Sequence, residues 1–131
     1  MASIFTKIIN REIPAYILAE DERYIAILDI NPLVLGHALV VPKKEIDFLF
    51  DLDDDTLAGI NVFAKKVAHA IKSAVPCRRV GVAVIGLEVP HVHVHLIPMS
   101  SMNDINFTRP KLTPSAAELT QVADAIRKAI K

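Results

Sequence analysis

The stretch Val89-Pro90-His91-Val92-His93-Val94-His95-Leu96-Ile97-Pro98 places three of the chain's five histidines within five residues, each followed by a branched apolar residue. Such alternation predicts a β-strand, in which successive side chains point to opposite faces. His91, His93 and His95 then stand in a row, neighbouring Cα atoms about 6.6–7 Å apart, while Val92, Val94 and Leu96 enter a core. One histidine in a strand is usually a satisfied packing residue. Three on one face are each desolvated beside the others, which gains nothing unless a phosphate, a metal or another ligand uses them. The row is therefore the candidate site.

Working outward, 131 residues suit one domain, and 52% apolar content with 15 basic against 15 acidic residues indicates a core-forming globular protein. There is no basic field for a DNA or RNA polymer, and the longest apolar runs are too short to cross a bilayer, so neither partner is expected. A small anion needs only local positive potential, which leaves nucleotides open. Cys77 is the only cysteine, which rules out an intrachain disulfide framework. The first residues lack the basic-then-apolar layout of a secretory signal, so a reducing cytoplasm is the expected location.

Ser3 can cap a short helix carrying Ile4, Phe5, Ile8 and Ile9, limited by Pro14. Residues 16–19 and 24–28 read as a hairpin, broken by Asp29-Ile30-Asn31-Pro32, and 36–43 as a strand entered through Gly36 with His37 at its start. Asp53 or Asp54 can cap a long helix with a Leu57, Ile60, Ala64, Val67, Ile71 stripe. His69 lies on this helix and stays outside the candidate site. Residues 79–85 form a further strand, and Gly86-Leu87-Glu88 turns the chain into the histidine strand, placing both strands in the core of the sheet. Residues 99–113 form a loop or arm. Thr113-Pro114 then opens a C-terminal helix over 114–130, with threonine as cap and Leu119, Val122, Ile126 and Ile130 as its apolar stripe.

His91-Val92-His93-Val94-His95-Leu96-Ile97 is similar to the signature of the histidine triad (HIT) superfamily. Ile4-Phe5-Thr6-Lys7-Ile8-Ile9, Glu12-Ile13-Pro14-Ala15, Glu20-Asp21, Leu28-Asp29-Ile30 and Gly36-His37-Ala38-Leu39-Val40-Val41-Pro42-Lys43 resemble successive blocks of its Hint branch, the histidine triad nucleotide-binding proteins. The resemblance implies a single HIT domain over 1–131, with its core in 1–98, and an α+β fold: a five-stranded antiparallel sheet with two main helices, followed here by the C-terminal helix. It also implies a homodimer acting on nucleotides at the α-phosphorus.

By the same resemblance His93 is the nucleophile, His95 binds phosphate oxygens and offsets charge when protonated, and His91 and His37 form a supporting hydrogen-bonded pair. Asp29 corresponds to the carboxylate that accepts from both ribose hydroxyls. Ile4, Phe5, Ile27, Leu28 and Ile30 match positions lining the base. A neutral imidazole suits this work, because it is nucleophilic near neutral pH and its phosphoryl adduct is labile to water.

The chain departs from the family in the run 79–89, where the usual amide and hydroxyl give way to Leu87 and Glu88. Turned inward, Glu88 would repel a phosphate or favour a cationic leaving group; it could equally face solvent or a partner subunit. The leading expectation is a hydrolase or transferase of purine nucleoside phosphoramidates or related conjugates, working through a nucleotidyl-histidine. Hydrolysis of dinucleoside polyphosphates and a nucleotide-binding scaffold with little catalysis are the alternatives. No cofactor is implied. Two histidines at i and i+2 can ligate zinc, yet no cysteine or carboxylate follows at a ligand spacing, so no metal is expected.

Overall fold

The computed structural model describes residues 1–131. Its elements run α1 (Ile4–Ile9), β1 (Ile17–Glu20), β2 (Tyr24–Leu28), β3 (Ala38–Pro42), α2 (Asp54–Ala74), β4 (Arg79–Ala83), β5 (Val94–Met99) and α3 (Ala116–Ala129), with 3-10 turns at Leu49–Asp51 and Met102–Ile105. The five strands form one sheet in the order β1-β2-β3-β5-β4. Every neighbouring pair is antiparallel. The fold is the expected α+β arrangement.

Alternation divides the sheet. Tyr24, Ala26 and Leu28 of β2, Ala38 and Val40 of β3, and Val94 and Leu96 of β5 enter a cluster with Ile60, Phe63, Val67 and Ile71 of α2 and Leu119, Ala123 and Ile126 of α3. The other face holds Ile25, Ile27, Leu39 and Val41, covered by Phe5 and Ile8 of α1. Each helix has a local reason to start. Ser3 Oγ accepts from Thr6 N–H, and the Asp53 side chain from Thr56 N–H, with Asp54 and Asp55 in the first turn complementing the helix dipole.

Three sequence expectations change. The cap of α3 is Ser115, because Ser115 and Glu118 close a reciprocal capping box, so the helix begins at Ala116 rather than at Pro114. Strand β4 stops at Ala83 instead of Ile85, and it lies at the sheet edge rather than in its centre. The histidine segment is only half strand. The β3–β5 ladder ends at Val40↔Val94, so residues 91–93 leave it. Val92 N–H instead donates to Ile46 O (2.8 Å), and the side-chain alternation survives, since Val92 joins Val94 and Leu96 in the core.

Candidate active site

The site forms at the end of the sheet where β2 stops and β3 begins, on the face opposite α2 and α3. Gly36, with φ of +101°, makes the turn that delivers His37, a conformation that L side chains rarely adopt. Asp29 N–H donates to His37 O (3.0 Å), which holds these two residues side by side. Across β3, Leu39 pairs with His95, so His95 shares the Leu39 face and lies beside His37.

The partners of each ring set its tautomer. Leu33 N–H donates to His37 Nδ1 (3.1 Å), so the proton of neutral His37 sits on Nε2. That N–H faces His95 Nδ1 at 2.9 Å and donates to it. His95 therefore carries its own proton on Nε2. His93 Nδ1 lies 2.7 Å from His91 O, an acceptor only, so it donates there and leaves the Nε2 lone pair free. His91 is buried away from this group: its Nε2 donates to Pro42 O (2.8 Å) and its Nδ1 accepts from Ser3 Oγ (2.7 Å). Phe5 stands against both the His91 and His93 rings, at centroid distances of 5.7 and 5.0 Å.

A cavity of about 300 Å³ gathers Asp29, His37, His93 and His95 with Glu88. Ile85, Gly86 and Leu87 form one wall; Phe107, Thr108 and Lys111 form another. Burial holds His37 and His95 neutral, pushing them down to about 3 and about 4. His91 is lowered by the same cause, and burial raises the Asp29 carboxyl. One Asp29 oxygen accepts from Asn31 N–H (2.9 Å), while the other lies 3.8 Å from His37 Nε2. That second oxygen has capacity left for a ligand donor.

Several sequence expectations are corrected by this geometry. His37 pairs with His95, not with His91, because register sets His37 and His95 on adjacent strands while His91 lies beyond the ladder. His95 meets the cavity as a neutral N–H donor rather than as an imidazolium, because desolvation disfavours its charge. Leu28 points to the α2 side of the sheet, and its neighbour Ile27 occupies the site-side face. Ile4 and Ile30 are half-exposed at the surface and Phe5 is buried beneath the rings. None of these three lines the cavity. Glu88 is among the lining residues and is exposed at the cavity's edge. His69 is exposed on α2, away from the site.

The arm was the part sequence reasoning missed. Phe107 packs edge-on against His95 and His37, at centroid distances of 4.9 and 6.4 Å. Its signal in the sequence is that it is the one aromatic residue among residues 99–113. Asp29, His37 and His95 bring ligand-type atoms within 4.8 Å of one another. This set does not fit a divalent cation: both facing imidazole nitrogens are committed to one hydrogen bond at 2.9 Å, and Leu33 N–H occupies the remaining lone pair of His37. What the arrangement offers is a free imidazole lone pair, an N–H donor beside it and a carboxylate oxygen on the same side.

The family model described as HIT domain matches residues 10–102, ending within the arm and before Phe107. An adenosine 5'-monophosphoramidase of Schizosaccharomyces pombe is 34% identical over 134 aligned positions, covering 100% of both chains. Another, of Saccharomyces cerevisiae, is 41% identical over 98 residues, 74% of this chain and 62% of that protein. The crystal structure of a hypothetical histidine triad nucleotide-binding protein of Sulfolobus tokodaii superimposes with a TM-score of 0.82 at 34% identity, over 96% of this chain and 90% of that one.

Proposed function

This chain belongs to the HIT domain family, and on that premise we propose that it hydrolyses purine nucleoside phosphoramidates or related nucleotide conjugates at the α-phosphorus through a nucleotidyl-His93 intermediate. The single observation carrying this reading is the His93 ring, anchored through Nδ1 on His91 O with its Nε2 lone pair free, in the cavity that Asp29 and His95 share.

In the first step His93 Nε2 attacks phosphorus, a bond forms between them, and the bond to the leaving nitrogen breaks as that nitrogen takes up a proton from solvent. Water then attacks phosphorus, gives one proton back to solvent, the bond to His93 breaks, and nucleoside monophosphate leaves with His93 restored. His95 Nε2–H donates to a phosphate oxygen in both steps, a preorganised dipole aimed at charge that grows in the transition state. His37 holds His95 in the tautomer that keeps this donor, and His91 holds His93 through its carbonyl. Asp29 accepts from the ribose hydroxyls with its spare oxygen. Phe5 supports the nucleophile from beneath, whereas the half-exposed Ile4 and Ile30 offer apolar surface for a purine. Glu88 at the rim selects leaving groups that are amines carrying positive charge over anionic ones.

Three further expectations belong to the same reading: one functional domain over 1–131, a reducing cytoplasmic location consistent with the lone Cys77, and a homodimer. The open β4 edge supports the dimer, since Val82 on it is 60% exposed and no further strand covers it. No helix is long and apolar enough to cross a membrane.

Rapid quenching of the protein with adenosine phosphoramidates, followed by mass spectrometry, tests the mechanism. An adenylyl group on His93 is expected. A faster reaction with diadenosine polyphosphates would shift the substrate class, and monophosphate binding without any adduct would leave a binding module.

A further inference from the structure

Every imidazole at the cavity is hydrogen-bonded in place, and a phosphate brought there carries at least one negative charge. Burial strips His37 and His95 of theirs. Asp29 and Glu88 add negative charge of their own. Among the lining residues Lys111 is the only lysine, and no arginine joins it. Its ammonium makes no ion pair, so its charge is uncompensated by any carboxylate in contact.

The arm is built to hold this lysine in place. Arg109 Nη2 donates to Leu33 O (2.6 Å), and Leu112 N–H donates to Pro32 O (2.9 Å), which fastens the segment on both sides of Lys111 to the turn that leads to His37. Lys111 Nζ donates to Phe107 O (3.4 Å) and stands 5.9 Å from the Phe107 ring centroid, while that ring leans on His95. Thr108 cannot substitute as a donor, because its hydroxyl is already given to Asn106 Oδ1 (2.6 Å).

We propose that Lys111 is a phosphate-binding residue of this site: the arm delivers its ammonium to the cavity, where it receives the negative charge of the α-phosphate. This rests on the nucleotide reading above. Lys111 then separates anionic nucleotides from uncharged nucleosides, a discrimination that neutral histidines make weakly. Fastening at both flanks lowers the cost of ordering a long side chain on binding.

The test is titration calorimetry of the full chain and its Lys111→Met and Lys111→Arg variants with AMP and with adenosine. Methionine keeps the stem and removes the charge. Lys111→Met should weaken AMP binding about tenfold, the low end for a hydrogen bond to a charged group because the ammonium is exposed. Adenosine affinity should stay unchanged, Lys111→Arg should retain most of the AMP affinity, and the salt dependence of AMP binding should flatten in Lys111→Met. Unchanged AMP affinity, or an equal loss for AMP and adenosine, overturns the proposal and assigns Lys111 to arm structure. Failure of the unaltered chain to bind AMP would instead sink the nucleotide reading itself.

Discussion

On one side of the sheet, under α2 and α3, the buried residues are aliphatic or aromatic; on the other, next to α1, four buried histidines and Ser3 replace part of the core. The same strand serves both. In β5, Val94 and Leu96 face the helices, and His95 between them faces the cavity. The apolar side is held by area removed from water, which is non-directional, so its residues are interchangeable within limits of volume. The histidine side is held by directed hydrogen bonds, each ring spending one or two nitrogens on a named partner. Only the nitrogens left over, Nε2 of His93 and Nε2 of His95, are available for chemistry. Stability and function therefore come apart residue by residue across a sheet one strand thick.

The sharpest way to break this division is His93→Ala. Turnover should fall by at least about a thousandfold and the nucleotidyl adduct should vanish, while AMP affinity, read by calorimetry, changes little. Retained turnover would move the nucleophile elsewhere. On the opposite face, Leu96→Ala should cost about 2–5 kcal/mol of unfolding free energy in denaturant titration, as cavity-forming core substitutions do. The protein that remains folded should still form the adduct. If Leu96→Ala abolished the adduct in folded protein, the two faces would not be separable.

Acid acts on the histidine side through two buried imidazoles. His37 and His95 have folded values of about 3 and about 4, below the unfolded value of 6.5. Between these limits the unfolded chain binds more protons, so their stabilising effect is complete above about pH 6.5 and is lost as pH falls through about 4 for His95 and about 3 for His37. Denaturant midpoints measured down that range should drop, and His37→Asn should make the drop shallower. The smallest effect is expected from Ser3→Ala, about 1 kcal/mol from a lost helix cap. It also removes the donor to His91 Nδ1, so a modest decrease in turnover should accompany the loss; stability without any kinetic change would separate Ser3 from the site.

Much of this molecule was written in local pattern. Alternation in 92–96 identified which side chains of the histidine segment enter the core, and the residues Asp53 and Ser3 announced their helices by cap chemistry. The resemblance named His37, His93, His95 and Asp29, four residues that the structure gathers around one cavity. Alternation in 24–28 also separates Leu28, which follows Ile27 in the strand, onto the face opposite Ile27.

Other features had no local signature. That His37 pairs with His95, that His91 turns to Ser3 and Pro42, and that Phe107 and Lys111 close the cavity depend on contacts between residues 58 positions apart in the first case, 88 and 49 in the second, and on the arm folding back to Pro32 and Leu33 in the third. Side-chain periodicity and short-range hydrogen bonds are enough to give which residues of each strand and helix face the core and to mark an imidazole site, because they act over a few residues. That His37 and His95 give up their charge, which ring nitrogens are free and where the lone cavity lysine stands follow from burial and from partners distant in sequence.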